Sequence, residues 1–433
     1  NVNGNNYSNT ITTNLQVLTS IYNKLHEKID KEVKKIIHKC SAQNIVNILW
    51  ALVKIESDLI VTEKIPFDQL PEAWDIEKLG LINILLKPNI MNDYADIGNL
   101  ALNANTGTYN QGFGTEALGY QTSGDRNTGF GYQAGRNNVT GDYNTFMGFS
   151  AGRGTTSGVY SSTVGIGNNA FYSINDSFSG VAVGSDAGYY QTDADRSTFI
   201  GASAGYFTTT GNDNTAVGAN ALTKNQTGYG IVAIGKDALY HQNVQSTVGV
   251  GSGAGYFSSG SQNVYVGTYA GYYQGNGTSN TYVGDSAGRG FGLSVATANT
   301  GNTGIGLNAL YTITTGGYNV AVGASAGNNI KTGTHNVLVG VEAGQYVYKT
   351  SYSTHIGSNA GRYASGSANT FMGYQAGLGG TTSAPYNTGQ YNVAMGNEAL
   401  KSFTTATRMV AIGYEAMTDT TTGQDSIAIG YQA

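Results

Sequence analysis

One short phrase recurs along most of this chain, and it appears most plainly as NTAVGANAL at 214–222. We use its glycine as a marker, and successive markers are mostly 17 and sometimes 16 residues apart. The markers are Gly98, Gly114, Gly131, Gly148, Gly167, Gly184, Gly201, Gly218, Gly235, Gly251, Gly267, Gly284, Gly306, Gly323, Gly340, Gly357, Gly373, Gly396, Gly413 and Gly430. A fixed short period is the signature of a solenoid, in which each coil buries its apolar face against its neighbours. We therefore predict a mainly β protein whose residues 95–433 form a parallel β-solenoid of about twenty coils of about 17 residues.

The residues around each marker predict a strand and a narrow interior. An apolar residue precedes the marker, as at Phe113 and Val183, and the residue two positions before that is mostly Thr or Val. This period of two predicts a β-strand with its apolar side turned inward. An alanine stands three residues after every marker, for example Ala221. Because only a small side chain is admitted there, we expect each coil to consist of two short strands and two turns, with its two strands facing each other closely.

Two further positions predict how the coils turn and stack. A second glycine is common about ten residues after the marker, as at Gly124 and Gly211. Both glycine positions are predicted corners, because glycine tolerates a positive φ. Asn recurs four residues before the marker, as at Asn214 and Asn319. In register these side chains would form an amide ladder between coils. Stacking at about 4.8 Å per coil predicts a rod of roughly 95 Å.

Residues 1–94 have a different character, with both tryptophans and most of the lysines. From Thr13 to Lys39 apolar residues recur three and four apart, which predicts an amphipathic helix. A second helix, apolar nearly all round, is predicted around Trp50. We predict a small α-helical N-terminal domain for capping or assembly. Its candidate assembly residues are Leu18, Leu25, Ile29 and Trp50. Packing inside that domain and self-association through a coiled-coil seam both fit the pattern.

The composition excludes several classes of protein. Glycine accounts for 63 residues and charged residues for 11%, without the Gly-X-Y period of collagen. The net charge of −5 and the lack of a basic run exclude nucleic acid as an expected partner. Cys40 is the only cysteine, so no disulfide framework is expected. No stretch reaches the roughly 18 apolar residues that span a bilayer, so no membrane span is predicted.

The sequence predicts neither a catalytic site nor a cofactor or metal site. His241, His335 and His355 lie in different coils and at different positions within the coil, without metal-ligand spacing. The sparse acidic residues show no recurring pair of the kind that a glycosidase uses. Carbohydrate cleavage and ice binding are weaker alternatives, since no acidic pair recurs and the Thr clusters do not repeat in phase. We therefore expect a non-enzymatic protein.

Three marker intervals are longer than the rest and predict bulges from one side of the rod. Each begins just after an Ala-Gly pair, and together they contain the candidate partner-binding residues Arg153, Tyr160, Arg289, Phe291 and Tyr386. Loops on a rigid scaffold commonly carry recognition. Insertions without any partner are the alternative. Tyrosines recur five residues after the marker, and we expect them to pack chain against chain rather than to bind glycans.

The phrase at 214–222 resembles the head repeats of trimeric autotransporter adhesins and the related repeats of phage and viral tail fibres. The resemblance covers about residues 95–433 and is carried by an apolar residue, the marker glycine and the alanine three residues later. It implies a left-handed β-roll, a homotrimer and a role in attachment.

These observations lead to two functional expectations. The first is an adhesive or receptor-binding fibre, extracellular or on a cell or virion surface, whose partner is a host-surface glycan or protein receptor. The second is a structural subunit that polymerises head to tail into a filament, with the helical domain covering the open coil of the next copy.

Overall fold

The computed structural model describes residues 94–98, 100–103, 105–155, 158–176, 178–193, 195–291, 299–380 and 387–433. All of them belong to one compact unit, Leu81–Ala433. The predicted helical N-terminal domain, with Leu18, Leu25, Ile29 and Trp50, lies outside the described residues, as does Tyr386. No helix occurs in the part of the chain that the structure describes. The predicted domain boundary near residue 94 stays a prediction.

The regular elements among these residues are short strands, one at each marker, so the prediction of two strands in every coil was wrong; turns follow each marker instead. They are β1 Tyr94–Ile97, β2 Asn110–Phe113, β3 Thr128–Phe130, β4 Thr145–Met147, β5 Val164–Ile166, β6 Val181–Val183, β7 Thr198–Ile200, β8 Thr215–Val217, β9 Val232–Ile234, β10 Val248–Val250, β11 Val264–Val266, β12 Thr281–Val283, β13 Thr303–Ile305, β14 Val320–Val322, β15 Val337–Val339, β16 Thr354–Ile356, β17 Thr370–Met372, β18 Val393–Met395, β19 Val410–Ile412 and β20 Ile427–Ile429.

Each strand pairs in parallel with the next one in the chain, so the residues that precede successive markers lie side by side. In β8 and β9, for example, Thr215 pairs with Val232 and Val217 with Ile234. The result is a mainly β parallel solenoid of about 18 turns with coils of about 17 residues. The prediction of a parallel β-solenoid from the repeat period is confirmed.

The predicted orientation of the strands was wrong. In β8 the middle residue, Ala216, is fully buried, whereas Thr215 and Val217 on either side of it are partly exposed. The same pattern holds along the rod, and Phe146, Tyr265 and Leu338 are among the buried middle residues. The apolar and Thr/Val positions that flank them therefore form the outside of the sheet. The period of two was right, but the face assigned to the interior was the other one.

The alanine three residues after each marker lines the interior, as predicted. Ala204, Ala221 and Ala238 are fully buried in consecutive coils. Their backbones also connect coils, since the nitrogen of Leu222 donates to the oxygen of Ala238 at 2.9 Å. The narrow interior thus follows from a column of small side chains stacked through hydrogen-bonded backbone.

The asparagine ladder is also confirmed. Asn319 is fully buried, and its Nδ2 donates to Asn302 Oδ1 at 3.0 Å and to the Gly333 oxygen at 2.8 Å. Its own Oδ1 accepts from the backbone nitrogen and Nδ2 of Asn336, at 3.1 and 2.8 Å. Each amide thereby forms hydrogen bonds with the amides of the coils on both sides. Such pairing is expected because buried polar groups need hydrogen-bond partners.

Glycine is needed at the two repeated positions for different physical reasons. Gly218 has φ +131, and a Cβ there would lie 2.6 Å from the backbone of Gly235 in the next coil. The second glycine of the coil, such as Gly211, does not have a positive φ, contrary to the prediction. Its constraint is close approach, because a Cβ on Gly211 would lie 2.2 Å from the Gly228 oxygen.

Candidate interaction surfaces

The outward side of the strands forms an uncharged face along the rod. We define the outer sheet face as the two columns of side chains formed by the first and the last residues of β3 to β20. Neither column contains a charged residue between Thr128 and Ile429. One column is Thr, Val or, in β20, Ile, and the other is Ile, Val, Met or Phe. Phe130 is 55% exposed, Ile200 40% and Ile234 39%. These values are high for apolar side chains in the middle of a sheet.

The size of the outer sheet face sets it apart from ordinary surface patches. A strand of three residues spans about 10 Å, and eighteen strands at about 4.8 Å cover on the order of 850 Å². The largest apolar patch of a typical monomer measures about 300–600 Å². The buried area that a stable protein–protein interface needs is about 800 Å² per partner. The outer sheet face therefore has the area and chemistry of an interface.

A second surface lies at the corner five and six residues after the marker, where aromatic side chains stack from coil to coil. We call it the aromatic stripe. It consists of two runs, Tyr172, Tyr189, Tyr190, Tyr206 and Phe207, then Tyr240, His241, Tyr256, Phe257, Tyr272 and Tyr273, and the coil between them has Thr223 and Lys224 at these two positions. The rings of Tyr172, Tyr189 and Tyr206 stack at centroid distances of 4.8 and 5.1 Å. Those of Tyr240, Tyr256 and Tyr272 stack at 5.0 and 5.1 Å.

This stacking determines what the aromatic stripe can bind. The planes of Tyr172 and Tyr189 differ by 8° and those of Tyr256 and Tyr272 by 10°, so the ring faces cover one another. Burial, followed by the neighbouring tyrosines, raises the pKa of Tyr189 above its ordinary value. Because sugars stack on open ring faces, this surface favours packing through ring edges and hydroxyls over glycan stacking.

Two predicted partner-binding residues lie at the two ends of the aromatic stripe. The Arg153 guanidinium lies 5.2 Å from the Tyr172 ring centroid, and its Nη1 donates to Tyr172 Oη at 2.9 Å. The Arg289 guanidinium lies 5.5 Å from the Tyr273 centroid and 5.4 Å from that of Tyr311. Each arginine covers a ring face where the aromatic series breaks, and each such contact stabilises by roughly 0.5–1 kcal/mol. Arg153 and Arg289, with which two of the long intervals begin, thus lie at the same corner position of the rod, five residues after a marker.

The other predicted loop residues differ in their surroundings. Phe291 is 69% exposed and lies two residues after Arg289. Tyr160 is fully buried, with its ring 5.6 Å from Phe146 and its hydroxyl donating to the Gly152 oxygen at 2.8 Å. The expected surface contact by Tyr160 needs correction, because its side chain fills the interior of its coil. Tyr386 lies outside the described residues.

Sequence reasoning missed a third column, five residues before the marker. Arg126 lies 5.2 Å from both the Tyr109 and Tyr143 ring centroids. The residues Tyr318, His335 and Tyr352 stack in the same column at 5.1 and 5.2 Å. The signal was available in the sequence as aromatic or cationic residues at one phase in neighbouring coils. The position does not stand out in the sequence, because glycine and serine also occupy it in other coils.

Ionisable side chains are scattered over the surface in pairs. Arg196 Nε lies 2.7 Å from Asp213 Oδ1, and this contact lowers the pKa of Asp213. Arg408 and Asp425 form the same pair at 2.6 Å. Among the described residues, no three His, Cys, Asp or Glu side chains are grouped so that they could hold a metal ion. Nor does that part of the chain contain a helix that could cross a membrane.

No protein-family model and no curated protein matches this sequence.

Proposed function

We propose that this protein is a non-enzymatic fibre component that associates with copies of itself through the outer sheet face and mediates attachment outside a cell or on a virion. The uncharged outer sheet face is the observation that carries the proposal. The repeat phrase, which resembles the heads of trimeric autotransporter adhesins and tail-fibre repeats, supports a homotrimer of left-handed β-rolls. The arginine-capped corner with its two insertions is the proposed contact for a host-surface glycan or protein receptor.

The chemistry of the outer sheet face favours a second copy of the same chain. Apolar side chains such as Ile200 and Ile234 remain about two fifths exposed in the single chain. Removing their surface from water stabilises by roughly 25 cal/mol per Å². Every coil repeats the same two columns at the same spacing, so a parallel copy matches coil for coil along the whole rod. A partner with a different period would match only a few coils.

The assembly state of the full chain tests the proposal. Mass photometry with negative-stain microscopy should show discrete trimers roughly 95 Å long or longer. The double variant Ile200→Lys/Ile234→Lys places charges in every copy of the face, and we expect it to be monomeric. Gln226→Lys is the control, because Gln226 is exposed but lies outside the outer sheet face. A monomeric wild-type chain, or variants of unchanged mass, would contradict self-association. Open-ended filaments would favour the head-to-tail alternative.

Attachment requires its own test. A glycan array probed with the full chain should give a defined set of bound glycans, and Phe291→Ser should weaken that binding. Phe291 is suitable because it is 69% exposed, so the change removes little packing. Circular dichroism controls for folding. If the array shows no binding, pull-down with host-surface proteins tests the receptor alternative. Binding that is unchanged in Phe291→Ser would remove this loop as the contact.

A further inference from the structure

A histidine occupies the inward position of one strand in the middle of the solenoid. His355 is the middle residue of β16 and is fully buried. Its imidazole stacks on Phe371 at a centroid distance of 5.0 Å. Neither ring nitrogen has a hydrogen-bond partner among the described residues. An unsatisfied buried polar group costs about 1–3 kcal/mol, so an apolar residue would be more stable here.

The apolar core is interrupted where His355 lies. Its buried side chains form two groups, one running from Ala134 to Val347 and the other from Ala360 to Ala416. Leu338 of the first group and Phe371 of the second are the strand neighbours of His355 on either side. The imidazole therefore lies in the inward column between Leu338 and Phe371, at a position where the adjacent coils have apolar side chains.

The asparagine ladder, which is also broken in other coils such as those of Ser197 and Thr247, is interrupted here within its run from Asn263 to Asn392. Ser353 stands at the ladder position, where its Oγ accepts from the Asn369 nitrogen at 3.2 Å. The nitrogen of Ser353 still donates to Asn336 Oδ1 at 3.0 Å. A serine hydroxyl carries a single hydrogen, so it cannot donate the two amide hydrogen bonds that Asn319 makes in a regular coil.

Nothing charged compensates the imidazole from the elements packed against it. β15 presents Leu338, β17 presents Phe371, and the backbones of Gly344 and Gly361 approach the ring. The charged side chains of these coils are at the surface, where Arg362 Nη1 lies 2.9 Å from Glu342 Oε2. Lys349, six residues before His355 in the chain, is also exposed. Burial alone lowers the pKa of His355 from 6.5 to about 3.

We propose that the coil around β16 is an acid-labile joint, at which protonation of His355 opens the rod between its two core groups. The imidazolium has two N–H donors and a charge, and among the described residues neither ring nitrogen has a hydrogen-bond partner that could accept from it. Protonation therefore requires the coil to open and admit water. At neutral pH the joint is closed, so the rod is continuous.

The direction of the pH effect follows from the two protonation states. The open coil takes up a proton near pH 6.5 and the closed coil only near pH 3, so closure is fully favoured above pH 6.5 and is lost as the pH falls toward 3. Relative to pH 8, the equilibrium constant for opening should rise about 30-fold at pH 5.

Hydrogen exchange of the full chain, read by mass spectrometry and corrected for the intrinsic pH dependence, tests this joint. Amides of β15, β16 and β17 should lose protection by about 30-fold between pH 8 and pH 5, while β8 and β9 change little. His355→Leu, which copies the neighbouring Leu338, should remove the local pH dependence. His355→Phe, which copies Phe371 on the other side, is a second variant in case the leucine variant does not fold.

The exposed His335 supplies the control. It lies outside the core, stacked between Tyr318 and Tyr352. His335→Gln should leave the acid response of β16 unchanged. The proposal would be contradicted if protection were lost evenly along the rod, or if the His355→Leu variant lost as much protection at pH 5 as the wild-type chain. Both readouts are local to a single chain, so they remain decisive if the proposed self-association fails.

Discussion

Replacing one marker glycine by alanine should open the solenoid locally. Gly218 has φ +131, and a Cβ on it would lie 2.6 Å from both the carbonyl carbon and the oxygen of Gly235. The backbone cannot move away easily. The Gly218 nitrogen donates to the Ile200 oxygen at 2.7 Å, and the Gly235 nitrogen donates to the Val217 oxygen at 2.7 Å.

Two terms contribute to the expected loss in the free energy of unfolding. A backbone conformation that only glycine readily adopts costs about 1–3 kcal/mol in any other residue. Forcing a methyl group into closely packed surroundings costs about 1–3 kcal/mol more. Gly218→Ala should therefore lose about 2–6 kcal/mol.

A glycine in the same coil provides the matched control. Gly230 has φ +63, and a Cβ there would meet only Ser246 Oγ, at 4.0 Å. Arg196 and Ser246 adopt φ 50 and 55 at the same position in other coils. Gly230→Ala should therefore cost only about 1 kcal/mol.

The comparison is measured by urea unfolding together with hydrogen exchange of β8 and β9, because a long repeat protein can open one part at a time. The exchange data then show whether the loss is confined to the altered coil. Equal losses in Gly218→Ala and Gly230→Ala would refute the argument that the close approach of the next coil explains the marker.

Three further predictions concern the interior and the corner. Ala221→Leu should lower the free energy of unfolding by about 1–3 kcal/mol through overpacking, whereas Ala219→Leu, at an exposed position two residues away, should change it little. Similar urea midpoints for the two variants would contradict the narrow interior. Asn319→Ala should lose about 2–4 kcal/mol because it leaves the Asn336 nitrogen and the Gly333 oxygen without their partner. Local exchange rates in β14 and β15 check this loss, which would be disproved by wild-type rates. Tyr256→Ser removes two stacking contacts, at 5.0 and 5.1 Å, and should lose about 1–3 kcal/mol in thermal unfolding; an unchanged midpoint would show that the stack does not stabilise the rod.

Much of the architecture could be predicted because the information is local and repeated. The invariant alanine, as at Ala221, reports directly on the space available at one point of the coil. The Asn column, as at Asn319, reports a buried group that must find a partner at the same height in the next coil. In both cases one residue type recurs at one position, and only one environment fits it.

The candidate surfaces were predicted less well. The sequence marks Arg153 and Arg289 as the beginnings of insertions, but their contacts with stacked tyrosine rings depend on which residues lie above and below them. The long interval around Tyr160 suggested an exposed loop, whereas its ring fills the interior beside Phe146. A longer interval between markers gives the extra chain length but not the path of that chain.

The sequence by itself determined the parallel solenoid, its period, its small interior residues and its amide ladder, because each is a rule about one repeating position. Only the tertiary structure decided which side of the strand faces inward. A period of two separates the two faces, but an apolar column such as Val217 and Ile234 satisfies either the core or an interface. The choice is made by the closure of the coil, since the turn at Gly218 directs Ala216 toward the alanine column and leaves Val217 outside.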